Sequence, residues 1–224
     1  MISMETILWY ISNIGEYTLE MFPCMCVSLI LFLIIRPHQL QTLQKKGMVS
    51  SKWRESILLL FVLFLTGLSA LTLFPANFWP YTMEYLFSSE IRPSHFDWER
   101  FYPVLAGKNE INLQLQPFVE IKRAFKGPWV FFIMLGNIGI FMPIGFFTAL
   151  LWRKPRWWRS VLIGFGSSFL IEFVQLFIGR CADIDDIILN TTGALLGYWF
   201  YRFLNLFCHK FFLQFQCSTK GERS

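Results

Sequence analysis

Five runs of apolar residues, divided by short polar segments, dominate the chain. Residues 56–83, 127–152 and 187–201 carry no charge, while 17–35 and 160–179 carry one acid each, Glu20 and Glu172. Each is long enough for all or most of a bilayer crossing, which takes about 20 apolar residues as a helix. The pattern predicts helices near 17–35, 56–75, 129–152, 160–178 and 186–207. Residues 2–14, with Ile7, Ile11 and Ile14 at helical spacing beside Trp9 and Tyr10, form either a short interfacial helix or an extension of the first span. Beyond the second span, Trp79, Tyr81, Tyr85 and Phe87 read as an aromatic belt at the outer interface.

Composition supports the membrane reading: 54% of the 224 residues are hydrophobic and only 16% charged, an apolar share that soluble domains of this size rarely reach. The charges then give the spans a direction. Segment 36–54 holds Arg36, Lys45, Lys46, Lys52 and Arg54 without an acid. Segment 153–159 adds Arg153, Lys154, Arg156 and Arg159, and the C-terminal end adds Arg202, Lys210, Lys220 and Arg223. By the positive-inside rule these regions are cytoplasmic. The expected fold is therefore an all-α polytopic bundle of about five transmembrane helices, N-terminus outside and C-terminus inside. The N-terminus lacks the basic start of a cleavable signal and is expected to stay attached. The organisation expected is an N-terminal membrane segment over 1–56, a membrane domain over 57–200 and a basic end over 201–224.

Several familiar chemistries find no footing in the sequence. Cys24, Cys26, Cys181, Cys208 and Cys217 lack metal-ligand spacing, and His38, His95 and His209 are far apart. No metal, cofactor or nucleic-acid partner is expected; membrane lipids are. The net charge of +5 is spread over loops, where it reports topology.

Polar residues inside the apolar runs draw attention to the outer end. A helix rises about 1.5 Å per residue, so Glu172, Gln175, Asn190 and Asn137 lie roughly 9, 5, 6 and 12 Å below the outer ends of their helices. Glu172 and Gln175 are three apart and share a face, which Gly164 and Ser168 continue inward. On the last span Asn190, Gly193, Ala194 and Gly197 fall along one side, a small-residue stripe that permits close helix approach. Gly136, Gly139, Pro143 and Gly145 suggest a close-packed or bent third span. An ionisable side chain within the membrane costs at least about 2.5 kcal/mol unless paired or neutralised, which singles out Glu172 for function, against a purely structural hydrogen bond. Asp183 and Asp186 fit an N-cap and its N3 partner. Capping explains Asp183 alone, but not three acids beside Arg180 above an intramembrane Glu.

These residues resemble a known family. The run Ile171-Glu172-Phe173-Val174-Gln175, then Arg180, Asp183-Ile184-Asp185-Asp186 and Asn190-Thr191-Thr192-Gly193-Ala194-Leu195-Leu196-Gly197-Tyr198, looks like the signature of VanZ-like membrane proteins. Asn137 with Phe141-Met142-Pro143-Ile144-Gly145 is similar to the family's preceding helix. The resemblance covers about residues 57–200. One departure stands out: the family's Asn-Leu-x-Pro-Phe is lengthened here to Asn112-Leu113-Gln114-Leu115-Gln116-Pro117-Phe118, so either Asn112 is displaced or Gln114 takes its place. The resemblance implies a link to reduced sensitivity to teicoplanin and related glycopeptides, as for the founding member. The expected site is an outward pocket built from Asn137, Glu172, Gln175, Arg180, Asp183, Asp185, Asp186 and Asn190 that binds an envelope or lipid ligand. Two other readings stay open. One is an intramembrane enzyme acting on a lipid-linked or cell-wall substrate, with Glu172 as general base and the Asp cluster holding a divalent metal; the other is transport or proton relay through Glu172.

Overall fold

The computed structural model describes residues 4–75, 77–87, 96–126 and 128–219. Helices dominate: α1 (Met4–Lys45), α2 (Lys52–Leu73), α3 (Phe78–Phe87), the short α4 (Val119–Ala124), α5 (Pro128–Leu151), α6 (Trp157–Ile178) and α7 (Ile184–Phe212). Four two-residue strands, β1 (Met48–Val49), β2 (Leu113–Gln114), β3 (Ala182–Asp183) and β4 (Ser218–Thr219), act as clips between connecting segments. β1 pairs antiparallel with β4, and β2 pairs parallel with β3.

Every expected span lies in a helix, and the ends differ for local reasons. The first helix continues through the basic segment to Lys45, then turns at Gly47 with φ +70°. Residues 4–14 extend α1 instead of forming a separate helix; residues 2 and 3 and the side chains of 4–14 lie outside the described residues. Ser51 starts α2 earlier than expected, accepting the Arg54 N–H at 2.9 Å as an N-cap. Gly179, with φ +81°, closes α6: the Gly179 and Arg180 N–H groups both donate to the Gln175 carbonyl.

Four helical stretches are long and apolar enough to cross a membrane: Thr18–Lys45, Lys52–Leu73, Met134–Leu151 and Trp157–Ile178. α7, the fifth expected span, does not meet that standard, although its stretch before the break at Cys208 gives about 36 Å of helix. Its position accounts for this. α7 is the central element, packed against α5 and α6, and its small and polar face meets protein. A Cβ on Gly193 would stand 2.2 Å from the Ile138 carbonyl oxygen, and one on Gly197 1.9 Å from that of Met142. Gly145 answers from α5, where a Cβ would fall 1.8 Å from the Ala194 oxygen. The two backbones touch along this seam, as small residues allow within membranes.

Apolar packing fills the rest of the bundle. Leu68, Phe141, Ile144 and Ile171 join α2, α5 and α6. Towards one end Ala149, Leu150, Tyr198, Tyr201, Phe212 and Phe215 form a second cluster. α1 leans on α2 at the periphery, and its acid Glu20 accepts the Asn77 N–H at 2.8 Å. Large apolar side chains, such as Phe22, Ile34, Phe169, Leu206 and Phe207, cover the outward surfaces, a distribution suited to lipid. α3 qualifies the aromatic-belt expectation: Tyr81 and Tyr85 pack on Phe96 at 5.4 and 5.5 Å, so they also hold the connecting segment.

The basic segments share one end. A recess of about 740 Å³ there is lined by residues 51–53, by Arg153, and by Leu213, Gln214 and 216–218. Beyond a break in helical geometry at Cys208, the chain folds back, placing Trp53 on Phe215 at 6.5 Å and β4 on β1. Lys220 and Arg223 lie outside the described residues. The opposite end carries β2, β3, α4 and the start of α7.

Candidate functional site

At that opposite end, the last two turns of α6, the 179–183 connection and the first two turns of α7 converge. Glu172 and Gln175 project from one face of α6 and are buried, 5% and 7% exposed. Glu172 Oε2 accepts the Asp183 N–H at 3.0 Å, so the intramembrane acid fastens the entry of α7. One turn deeper, Asn190 Nδ2 donates to Ser168 Oγ at 2.9 Å, joining α7 to α6 along the predicted polar face. The Asn190 Oδ1 atom is buried without a protein partner.

The three aspartates diverge. Asp183 is the N-cap of α7, its Oδ1 accepting the Asp185 N–H at 2.8 Å. Burial holds its carboxyl above the ordinary aspartate value; the Asp185 N–H opposes this, while the Asp185 and Glu120 charges reinforce it. Asp186 Oδ1 accepts Asn137 Nδ2 at 2.5 Å, which ties α7 to α5. The fully buried Asp185 turns to the external segment, where its carboxylate accepts the N–H groups of Phe118 at 2.5 Å, Glu120 at 2.7 Å and Ile121 at 3.4 Å. Asp185 thus supplies the N-terminal cap of α4 from another helix, in place of Phe118, which sits at φ +68° and offers no side-chain cap.

Arg180 is exposed at the mouth and makes no ion pair with any described residue. It lies close enough to Glu172 and Asp186 to act on both electrostatically. Of the eight expected residues, Glu172 and Asp183 meet directly, as do Asn137 and Asp186; Asn190 joins the layer through Ser168; Gln175 and Arg180 flank it; Asp185 faces α4. Among the described residues, no three His, Cys, Asp or Glu side chains are arranged to hold a metal ion.

A segment distant in sequence roofs the site. Asn112 accepts the Ala182 N–H through its carbonyl at 3.1 Å, and β2 runs beside β3 with Gln114 opposite Asp183. In the lengthened motif it is therefore Gln114 that stands beside the site's acid, while Asn112 contributes backbone. Below this roof lies a cleft of about 320 Å³ between α6 and α7. Glu172 and Asp183 border it, and Leu113, Leu115, Phe169, Phe173 and Ile187 supply apolar walls. Phe165, Phe169 and Phe173 stack in file along the outer face of α6, with centroids 6.2 and 6.5 Å apart. The cleft itself is apolar, with the buried Glu172 and the half-buried Asp183 at its border and Arg180 exposed outside its walls. The resemblance marked residues 112–118, but their place as a roof was not readable from the sequence, because Leu113, Leu115 and Phe118 carry no intramembrane or charged signal.

No curated protein and no solved structure matches the chain. The sequence profile described as VanZ/LLP1 does match, over residues 21–205, a stretch containing every element of the site. With its apolar helices and that match, this membrane protein belongs to the VanZ/LLP1 family.

Proposed function

We propose that the protein is a multi-pass protein of the cell membrane with five spans, its N-terminus outside and its C-terminus in the cytoplasm. In this reading α7 is the fifth span and residues 57–200 form the working domain. The polar pocket faces outward and binds an envelope or lipid ligand, and in a glycopeptide-exposed host it lowers sensitivity to teicoplanin-type antibiotics. The observation that carries the reading is Glu172: a buried acid in an apolar helix, at the edge of an apolar cleft, near an exposed Arg180 that makes no ion pair among the described residues. Such a site suits a molecule with an apolar chain and a polar, charged head.

The enzyme reading has less support. A metal-assisted reaction would want convergent carboxylates, whereas Asp183, Asp185 and Asp186 bind three different partners. The test is teicoplanin susceptibility of a host expressing wild type, Glu172→Gln or Asp186→Asn at matched membrane levels. Wild type is expected to raise the inhibitory concentration and both variants to lose most of the gain. Equal protection by all three would dismiss the pocket.

A further inference from the structure

The basic end holds a second feature, independent of the outer pocket. Arg36 of α1 and Arg54 of α2 are largely buried, with side chains 11% and 15% exposed, and they share one carboxylate. Arg36 takes most of it: Nε and Nη2 donate to the two oxygens of Glu55 at 2.5 and 2.9 Å, and Nη1 donates to Gln39 at 2.7 Å. Ser50 also donates to Glu55. Arg54 is left with 3.2 Å to Ser50 Oγ and 3.4 Å to Glu55, and its Nε is buried without a partner among the described residues. Two guanidinium groups against one acid leave a net positive charge in this partly buried corner, which favours an anion.

Two clefts with polar mouths and largely apolar walls meet at Arg54. One, about 490 Å³, runs between α1 and α2 under Leu31, Phe32, Ile35 and Val62. The other, about 390 Å³, lies between α2 and α5 beside Phe61, Leu151 and Trp152. Arg54 and Leu58 line both, so the guanidinium sits at the fork. Val62 is eight residues above Arg54 and Ser28 eight above Arg36, giving the first cleft about 12 Å of depth towards the bilayer centre. One anionic group with two apolar arms is the chemistry of a diacyl phospholipid.

We propose that Arg54 holds the phosphate of an anionic glycerophospholipid from the leaflet beside the basic segments, with one acyl chain on either side of α2. The surrounding lysines and arginines favour anionic lipid at that surface. The full-length protein, delipidated in neutral detergent, would be titrated with phosphatidylglycerol, phosphatidylcholine and inorganic phosphate, and bound lipid read by native mass spectrometry. Wild type should prefer phosphatidylglycerol over phosphatidylcholine by about tenfold, a difference within reach of one charge-assisted contact. Arg54→Gln should reduce the preference to about twofold, and Arg54→Lys should keep most of it. Leu58→Trp, which fills the fork without altering charge, should weaken both lipids together. An unchanged preference in Arg54→Gln overturns the proposal. Displacement of phosphatidylglycerol by millimolar inorganic phosphate, with Leu58→Trp silent, would also overturn it by reducing the site to a phosphate contact without chains.

Discussion

Asp185 shows how one buried carboxylate can hold a segment that belongs to no helix near it in sequence. It is fully buried and receives three backbone N–H groups from residues 118–121, more than 60 positions earlier. Hydrogen bonds of this kind to a charged acceptor are each among the stronger ones in proteins. Asp185→Ala should cost about 2 kcal/mol and release α4 while sparing the long helices. Hydrogen exchange at the Phe118, Glu120 and Ile121 amides would show it; unchanged protection there would contradict the assignment. That Glu172, Asn137 and Asn190 turn towards neighbouring helices was legible in the sequence, because polar side chains at one depth of apolar helices have few neighbours to choose from. The separate fates of the aspartates were not. Spacing gives the face of a helix, but the partner of Asp185 comes from a loop whose path no periodicity records.

Among the helices, the seam between α5 and α7 sets the tightest tolerance. Gly145→Ala or Gly197→Ala would place a methyl within 2 Å of a facing carbonyl oxygen, 1.8 Å and 1.9 Å respectively, with no flexible side chain to yield. Each should destabilise the bundle by about 3 kcal/mol through forced backbone separation. Gly136→Ala and Gly139→Ala, with nothing within 4 Å, should be neutral or slightly stabilising. Thermal unfolding in detergent would separate the two pairs, and equal melting temperatures for all four would refute the seam. The stripe Asn190, Gly193, Ala194 and Gly197 makes this packing legible in the sequence, since small residues at helical spacing have that use in a membrane. Hydropathy likewise gave the long helices to within a few residues at most ends. It could not show that 36–45 continues α1, because basic residues are good helix formers and charge alone does not end a helix. Two-residue clips such as β1 with β4 lie below any sequence period.

At the scale of the molecule, the two ends have different characters: basic and closed by the folded-back C-terminal segment at one, polar and roofed by 112–121 at the other. The proposed orientation can be tested with native cysteines. In single-cysteine variants, a membrane-impermeant maleimide should label the exposed Cys181 on intact cells and Cys217 only after permeabilisation. The reverse pattern would invert the topology, and labelling of both from outside would break it. The composition of α7 also bears on how the protein is made. The helix at the centre of the bundle follows α1, α2, α5 and α6 in the chain and falls short of the apolar standard that those four satisfy. Entering alone, it would expose Asp185, Asp186 and Asn190 to hydrocarbon, at a cost its apolar residues offset poorly. α7 appended to an unrelated leader should therefore fail to integrate, and the same helix behind α5 and α6 should succeed. In the proposed five-span reading, insertion of α7 is then templated: the helices before it supply the polar contacts that admit it, and its place in the membrane depends on theirs.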